Sequence, residues 1–138
     1  MSQAGELLRR SLVWDNHACM PLRPGDVDFL PRLEAVRSSG VDVISLNIGF
    51  DALPWQTAVQ MAATFRTWLK THAETYQLVE TAADIETARH ESRLAVVFDI
   101  EGGSALGGRI ELIESYYQLG VRWISIAYNR SYALGGGC

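Results

Sequence analysis

The chain has 138 residues, 48% of them hydrophobic and 20% charged, with a formal net charge of −4. A chain of this size makes one domain that hides roughly 68–70% of its unfolded surface. It is too short for a complete (β/α)8 barrel, which takes about 250 residues. Twelve Lys and Arg stand against 16 acids with no basic cluster, so a nucleic-acid footprint is absent. No apolar run is long enough to span a bilayer. The first residues carry no apolar core of the signal-peptide type. The expectation is a cytoplasmic protein with no nucleic-acid or membrane partner, whose Cys19 and Cys138 are free thiols.

Apolar runs alternate with helical patterns along the chain, which is the mark of a parallel α/β sheet. A first strand is expected over residues 11–17, followed by a loop with Pro21, Pro24 and Gly25. A helix over 28–39 has the stripe Leu30, Leu33 and Val36, with Asp28 as its cap and Gly40 just past its end. The second strand is residues 41–48. A long helix over 55–76 carries Ala58, Ala62, Phe65, Leu69, His72 and Tyr76 on one stripe. His72 reads as a satisfied core residue and His90 as solvent-facing. A short extended piece, 77–80, leads to a helix over 82–91, where Thr81 and Asp84 have the spacing of a capping box. The third strand, 94–100, is almost continuously apolar, as in a strand covered on both faces. A helix over 110–119 ends at Gly120, and a fourth strand follows over 121–128. Four strands joined by helical crossovers imply a parallel sheet. In such folds the chemistry sits at the carboxyl ends of the strands.

The first strand ends in Asp15-Asn16-His17-Ala18-Cys19. Side chains two apart share a face, so Asp15, His17 and Cys19 project together. An imidazole nitrogen and a thiolate are both good zinc ligands. The plainer alternative is a hydrogen-bonded strand-end histidine beside a small buried cysteine. The third strand ends in Asp99-Ile100-Glu101-Gly102-Gly103. Asp99 and Glu101 share a face, and a carboxylate buried there needs a cation or donors; the alternative is a solvated loop acid. The glycine-rich run from Glu101 to Gly108 fits neither phosphate-loop spacing. After the fourth strand, Tyr128 is placed either to donate to a substrate or to pack at the rim, and Asn129 follows it. Ser11, Ser45, Ser104 and Ser125 have no nucleophile-elbow context.

Three of these segments resemble the membrane (renal) dipeptidase family of zinc peptidases, in the amidohydrolase superfamily. Asp15-Asn16-His17-Ala18-Cys19-Met20-Pro21 is similar to that family's D-G-H-N-D-L-P, and Ile100-Glu101-Gly102-Gly103 to its I-E-G-G. The run Tyr116-Tyr117-Gln118-Leu119-Gly120-Val121-Arg122-Trp123-Ile124-Ser125 is similar to F-Y-x-L-G-V-R-Y-L-T, and the helix opening at Ala83-Asp84-Ile85-Glu86 also fits.

The resemblance implies the N-terminal half of a (β/α)8 barrel and a site with two zinc ions bridged by a carboxylate and a hydroxide. His17 is then a first-strand ligand and Glu101 the bridging, catalytic carboxylate. Asp15, Asp99 and Asn129 support them, and Tyr128 lies on the substrate side. The implied substrates are dipeptides. The sequence departs from the pattern at Cys19, where the family has the Asp of its H-x-D. It departs again at Tyr128, where the family has a His within L-T-H-N. The family's two later histidine ligands come from strands beyond the fourth. The expectation is therefore a zinc dipeptidase represented by half its site and weakly active or inactive alone. The alternative is a non-catalytic fragment, or a module that closes its open sheet with a second copy.

Overall fold

A computed structural model describes residues 3–132 and 134–137, so Cys138 lies outside the described residues. Five parallel strands form the sheet: β1 (Trp14–Ala18), β2 (Val43–Phe50), β3 (Tyr76–Leu78), β4 (Leu94–Glu101) and β5 (Val121–Ile124). The order is β1-β2-β4. On the far side of β4, β3 pairs with its first half and β5 with its second. The helices are α1 (Gln3–Arg10), α2 (Leu33–Ser38), α3 (Trp55–Thr71), α4 (Ala82–His90) and α5 (Leu112–Leu119), with 3-10 turns at Leu30–Arg32 and Gly103–Leu106.

The two central strands are buried almost throughout, and their alternation divides the molecule. Ile44, Leu46 and Ile48 of β2, with Val96, Phe98 and Ile100 of β4, point to one face. There they meet Ala58, Met61, Ala62, Phe65 and Leu69 of α3 in the main core. The opposite face starts apolar, with Val43, Ala95 and Val97 packed against Val79 and Ala88. Toward the carboxyl ends of the strands it turns polar, with Ser45 and Asn47 on β2 and Asp99 on β4, all buried. One face therefore packs on α3, and the other presents polar groups where the strands end.

That second face is concave. Neighbouring strands lie about 4.8 Å apart, so β1 and β4, separated by β2, stand about 10 Å apart. Yet His17 of β1 bonds directly to Asp99 of β4, and the Trp123 indole N–H of β5 donates to the Asn16 carbonyl of β1 at 3.1 Å. Side chains span the sheet in this way only where it curls.

Several expectations are corrected. The extended piece after the long helix is a true strand, β3, which makes the sheet five-stranded. The long helix stops at Thr71; His72 leaves helical geometry (φ −126°, ψ 33°), and Tyr76 opens β3 instead of closing the helix. His72 is a half-exposed helix cap, stacked on Trp68 with its Nδ1 2.9 Å from the Trp68 carbonyl oxygen, and not a core residue. Asp28 does not cap its helix: Pro31 fits the 3-10 turn that precedes α2, and the Asp28 N–H bonds Asp26 instead. The first strand starts three residues late, and the last stops at Ile124 because only that far does β4 offer a partner. Helix α1 was not expected; it buries no side chain.

The capping box of α4 is present. The Asp84 carboxylate accepts the N–H of Thr81 at 2.7 Å and of Glu80 at 2.9 Å, and these bonds hold its pKa below the ordinary range. Asp84→Ala should cost about 1 kcal/mol of stability. A carboxyl with a depressed folded-state pKa stabilises above its unfolded value and loses that contribution as pH falls through the folded one. The gap between wild type and variant in urea midpoint should be full at pH 7 and shrink as the pH falls below the ordinary carboxylate value.

Candidate functional site

The carboxyl ends of β1 and β4 bring His17, Cys19, Asp99 and Glu101 together. The His17 Nδ1 lies 2.9 Å from Asp99 Oδ1. Asp99 has no exposed surface and accepts two further bonds, from the Ser45 hydroxyl at 2.7 Å and the Asn47 amide at 3.0 Å. Burial pushes the Asp99 pKa up, and the bonds from Ser45, Asn47 and His17 oppose it. An ionised carboxylate is a pure acceptor, so opposite ionised Asp99 it is Nδ1 that carries the imidazole proton. The Nε2 lone pair is thereby left free. It faces Cys19 Sγ at 3.6 Å and Glu101 Oε2 at 3.9 Å.

The surrounding backbone fixes these positions. The N–H of Gly102 donates to the Ser125 hydroxyl at 2.7 Å and the N–H of Gly103 to the Ile126 carbonyl at 3.1 Å, tying the Glu101 turn to the segment after β5. From the far edge of the sheet, the Trp123 ring reaches His17 with centroids 5.7 Å apart.

The residues singled out in the sequence separate into two groups. His17, Cys19, Asp99 and Glu101 converge. Asp15 is exposed, with its carboxylate accepting the His17 backbone N–H at 3.3 Å. Tyr128 and Asn129 are exposed beyond the end of β5, outside this cluster. Sequence reasoning missed Ser45, Asn47 and Trp123. The first two were visible as polar residues two apart interrupting the apolar run of β2, on the same face as each other.

These side chains are of types that can ligate a divalent cation: an imidazole whose far nitrogen is anchored by a carboxylate, a second carboxylate and a thiol. Among the described residues no three His, Cys, Asp or Glu side chains close around a single point.

Comparison with known proteins agrees with this architecture. The model of the membrane dipeptidase family, peptidase family M19, matches residues 1–138. Human dipeptidase 3 is 28% identical over 76 residues, which is 55% of this chain and 16% of that protein. An uncharacterized protein from Acinetobacter calcoaceticus is 30% identical over 69 residues, 50% of this chain and 22% of that protein. Among solved structures, an amidohydrolase from Pseudomonas aeruginosa superposes with a TM-score of 0.82 at 20% identity, over 97% of this chain and 39% of its own. A metallo peptidase from Rhodobacter sphaeroides, liganded with a phosphinate mimic of the dipeptide L-Ala-D-Ala, superposes with a TM-score of 0.64 at 17% identity, over 86% of this chain and 46% of its own. The chain spans less than half the length of these solved structures, and its fold is the corresponding part of a (β/α) barrel. On the whole-length family match, the chain belongs to the membrane dipeptidase family, peptidase family M19.

Proposed function

We propose that this chain is the N-terminal part of a zinc-dependent dipeptidase, and that His17 and Glu101 are metal ligands contributed by its first barrel strands. The observation that carries the reading is the state of His17. Its Nδ1–H is held by a fully buried carboxylate, and its Nε2 lone pair is aimed at acidic and sulfur donors at the carboxyl end of the sheet. Hydrogen bonding of the remote ring nitrogen is how metal-ligating histidines are usually oriented. Family membership and the dipeptide mimic on the Rhodobacter relative favour a dipeptide as substrate.

When bound, a zinc ion supplies Lewis-acid chemistry at a scissile carbonyl. The chain's own residues do the positioning. Asp99 fixes the proton on Nδ1 and the plane of the imidazole. Ser45 and Asn47 fix Asp99. Trp123 limits access to His17 from the side of β5. The ligands that complete the site, in this reading, lie on strands beyond β5.

Zinc content tests this directly. After zinc loading and gel filtration, the wild-type chain should retain the metal, and the His17→Ala/Glu101→Ala double variant should lose it with its far-ultraviolet circular dichroism unchanged. Equal zinc in both proteins would sink the assignment.

A further inference from the structure

The position of Cys19 carries an inference about which ion the site takes. Two donors that share one tetrahedral zinc, with Zn–N about 2.0–2.1 Å and Zn–S about 2.3 Å, stand about 3.5 Å apart. Cys19 Sγ and His17 Nε2 stand 3.6 Å apart. The Glu101 carboxylate is farther from the same nitrogen, at 3.9 Å. The thiol is thus at the separation that a common ion requires, and the acid is a little outside it.

Without a metal, Cys19 has its thiol within S–H···N hydrogen-bond reach of His17 Nε2. It is exposed and makes no disulfide, so it is not packing a core. Its Sγ is instead directed at the one imidazole nitrogen that Asp99 leaves free. A sulfur ligand also changes selectivity. Thiolate favours the thiophilic ions zinc, cadmium and cobalt, whereas carboxylate and water suit magnesium and manganese.

We propose that His17 and Cys19 act together as a nitrogen–thiolate pair that makes this site selective for thiophilic divalent ions. The proposal rests on the metal-site reading above, and adds to it the ligand atom and the class of ion.

Cobalt(II) titration separates the two. The chain is prepared with Cys138→Ser, so that Cys19 is the sole thiol. Cobalt(II) should produce a sulfur-to-metal charge-transfer band in the near ultraviolet. In Cys19→Asp, cobalt should still bind, as read by metal analysis, and the band should be lost. Competition should move the same way: cadmium should displace manganese from the parent chain and lose that advantage in Cys19→Asp. His17→Ala should abolish both the band and the bound cobalt. If cobalt binds the parent chain without the band, or the band survives in Cys19→Asp, the thiolate role is wrong and the metal site stands. If neither cobalt nor cadmium binds the parent chain, both readings fall.

Discussion

Asp99→Asn should lower the zinc affinity of the chain by about 10–100-fold while leaving it folded. The two parts of that expectation have separate causes. Asparagine keeps the shape of the side chain and its carbonyl oxygen, which can still accept from Asn47 and His17. Its amide can donate to the Ser45 oxygen, and only the Ser45 proton then loses its acceptor. What changes is charge. Hydrogen bonds to an ionised acceptor are roughly twice as strong as neutral ones, so His17 loses much of the force that fixes its proton on Nδ1 and its ring in place. Asp99→Leu is the contrast. It leaves the Ser45 hydroxyl and the Asn47 amide each short of an acceptor in a fully buried position, at a cost of about 1–3 kcal/mol per group. Zinc titration and urea unfolding on the three proteins distinguish the cases. The loss of metal affinity should come with a smaller fall in stability in Asn than in Leu. An Asn variant that binds zinc like wild type would remove Asp99 from the metal-orienting role.

Much of the frame around this network was legible in the sequence, for a simple reason. The β2 and β4 segments are near-continuous apolar runs because both faces are covered, and their composition alone marks them as strands. Gly40 and Gly120 were readable too, because helix ends favour a residue free to take positive φ, and both do. Elements defined by their neighbours were not legible. Three residues, Tyr76–Leu78, form β3 only because β4 offers a free edge beside its first half. The ends of β1 and β5 are set by where β2 and β4 stop pairing. The site divides along the same line. His17, Cys19, Asp99 and Glu101 stood in recognisable strand-end motifs, so their shared destination followed from the parallel sheet. Ser45 and Asn47 were readable as a polar pair on one face of β2, beside β4, whereas Trp123 enters through the curl of the sheet, which brings β5 within reach of β1 and which no local pattern records. Tyr128 lies beyond the last strand residue, where nothing in the sheet directs it toward His17.

Gly102→Ala should destabilise the chain by about 3 kcal/mol or more, through backbone strain and overpacking together. Gly102 has φ +101° and ψ 143°, a conformation open essentially to glycine alone. A methyl group built there would run into the Asp51 carboxylate, with its carbon 2.6 Å from Asp51 Cγ. Both Asp51 oxygens are buried and the buried Tyr132 hydroxyl sits beside them. The clash is with the end of the Asp51 side chain, so it is shared between that carboxylate and the turn, while the positive φ burdens the turn alone. That turn follows Glu101 directly and is pinned by the bond from Gly102 to Ser125, so zinc affinity should fall with stability. The double variant Gly102→Ala/Asp51→Ala separates the two contributions, since it removes the clash and keeps the positive φ. Contacting residues are expected to couple by about 0.5–3 kcal/mol, so the double variant should be more stable than the two single losses predict by addition. Strict additivity would mean that the carboxylate is not what excludes a side chain at Gly102, and that the cost lies wholly in the backbone.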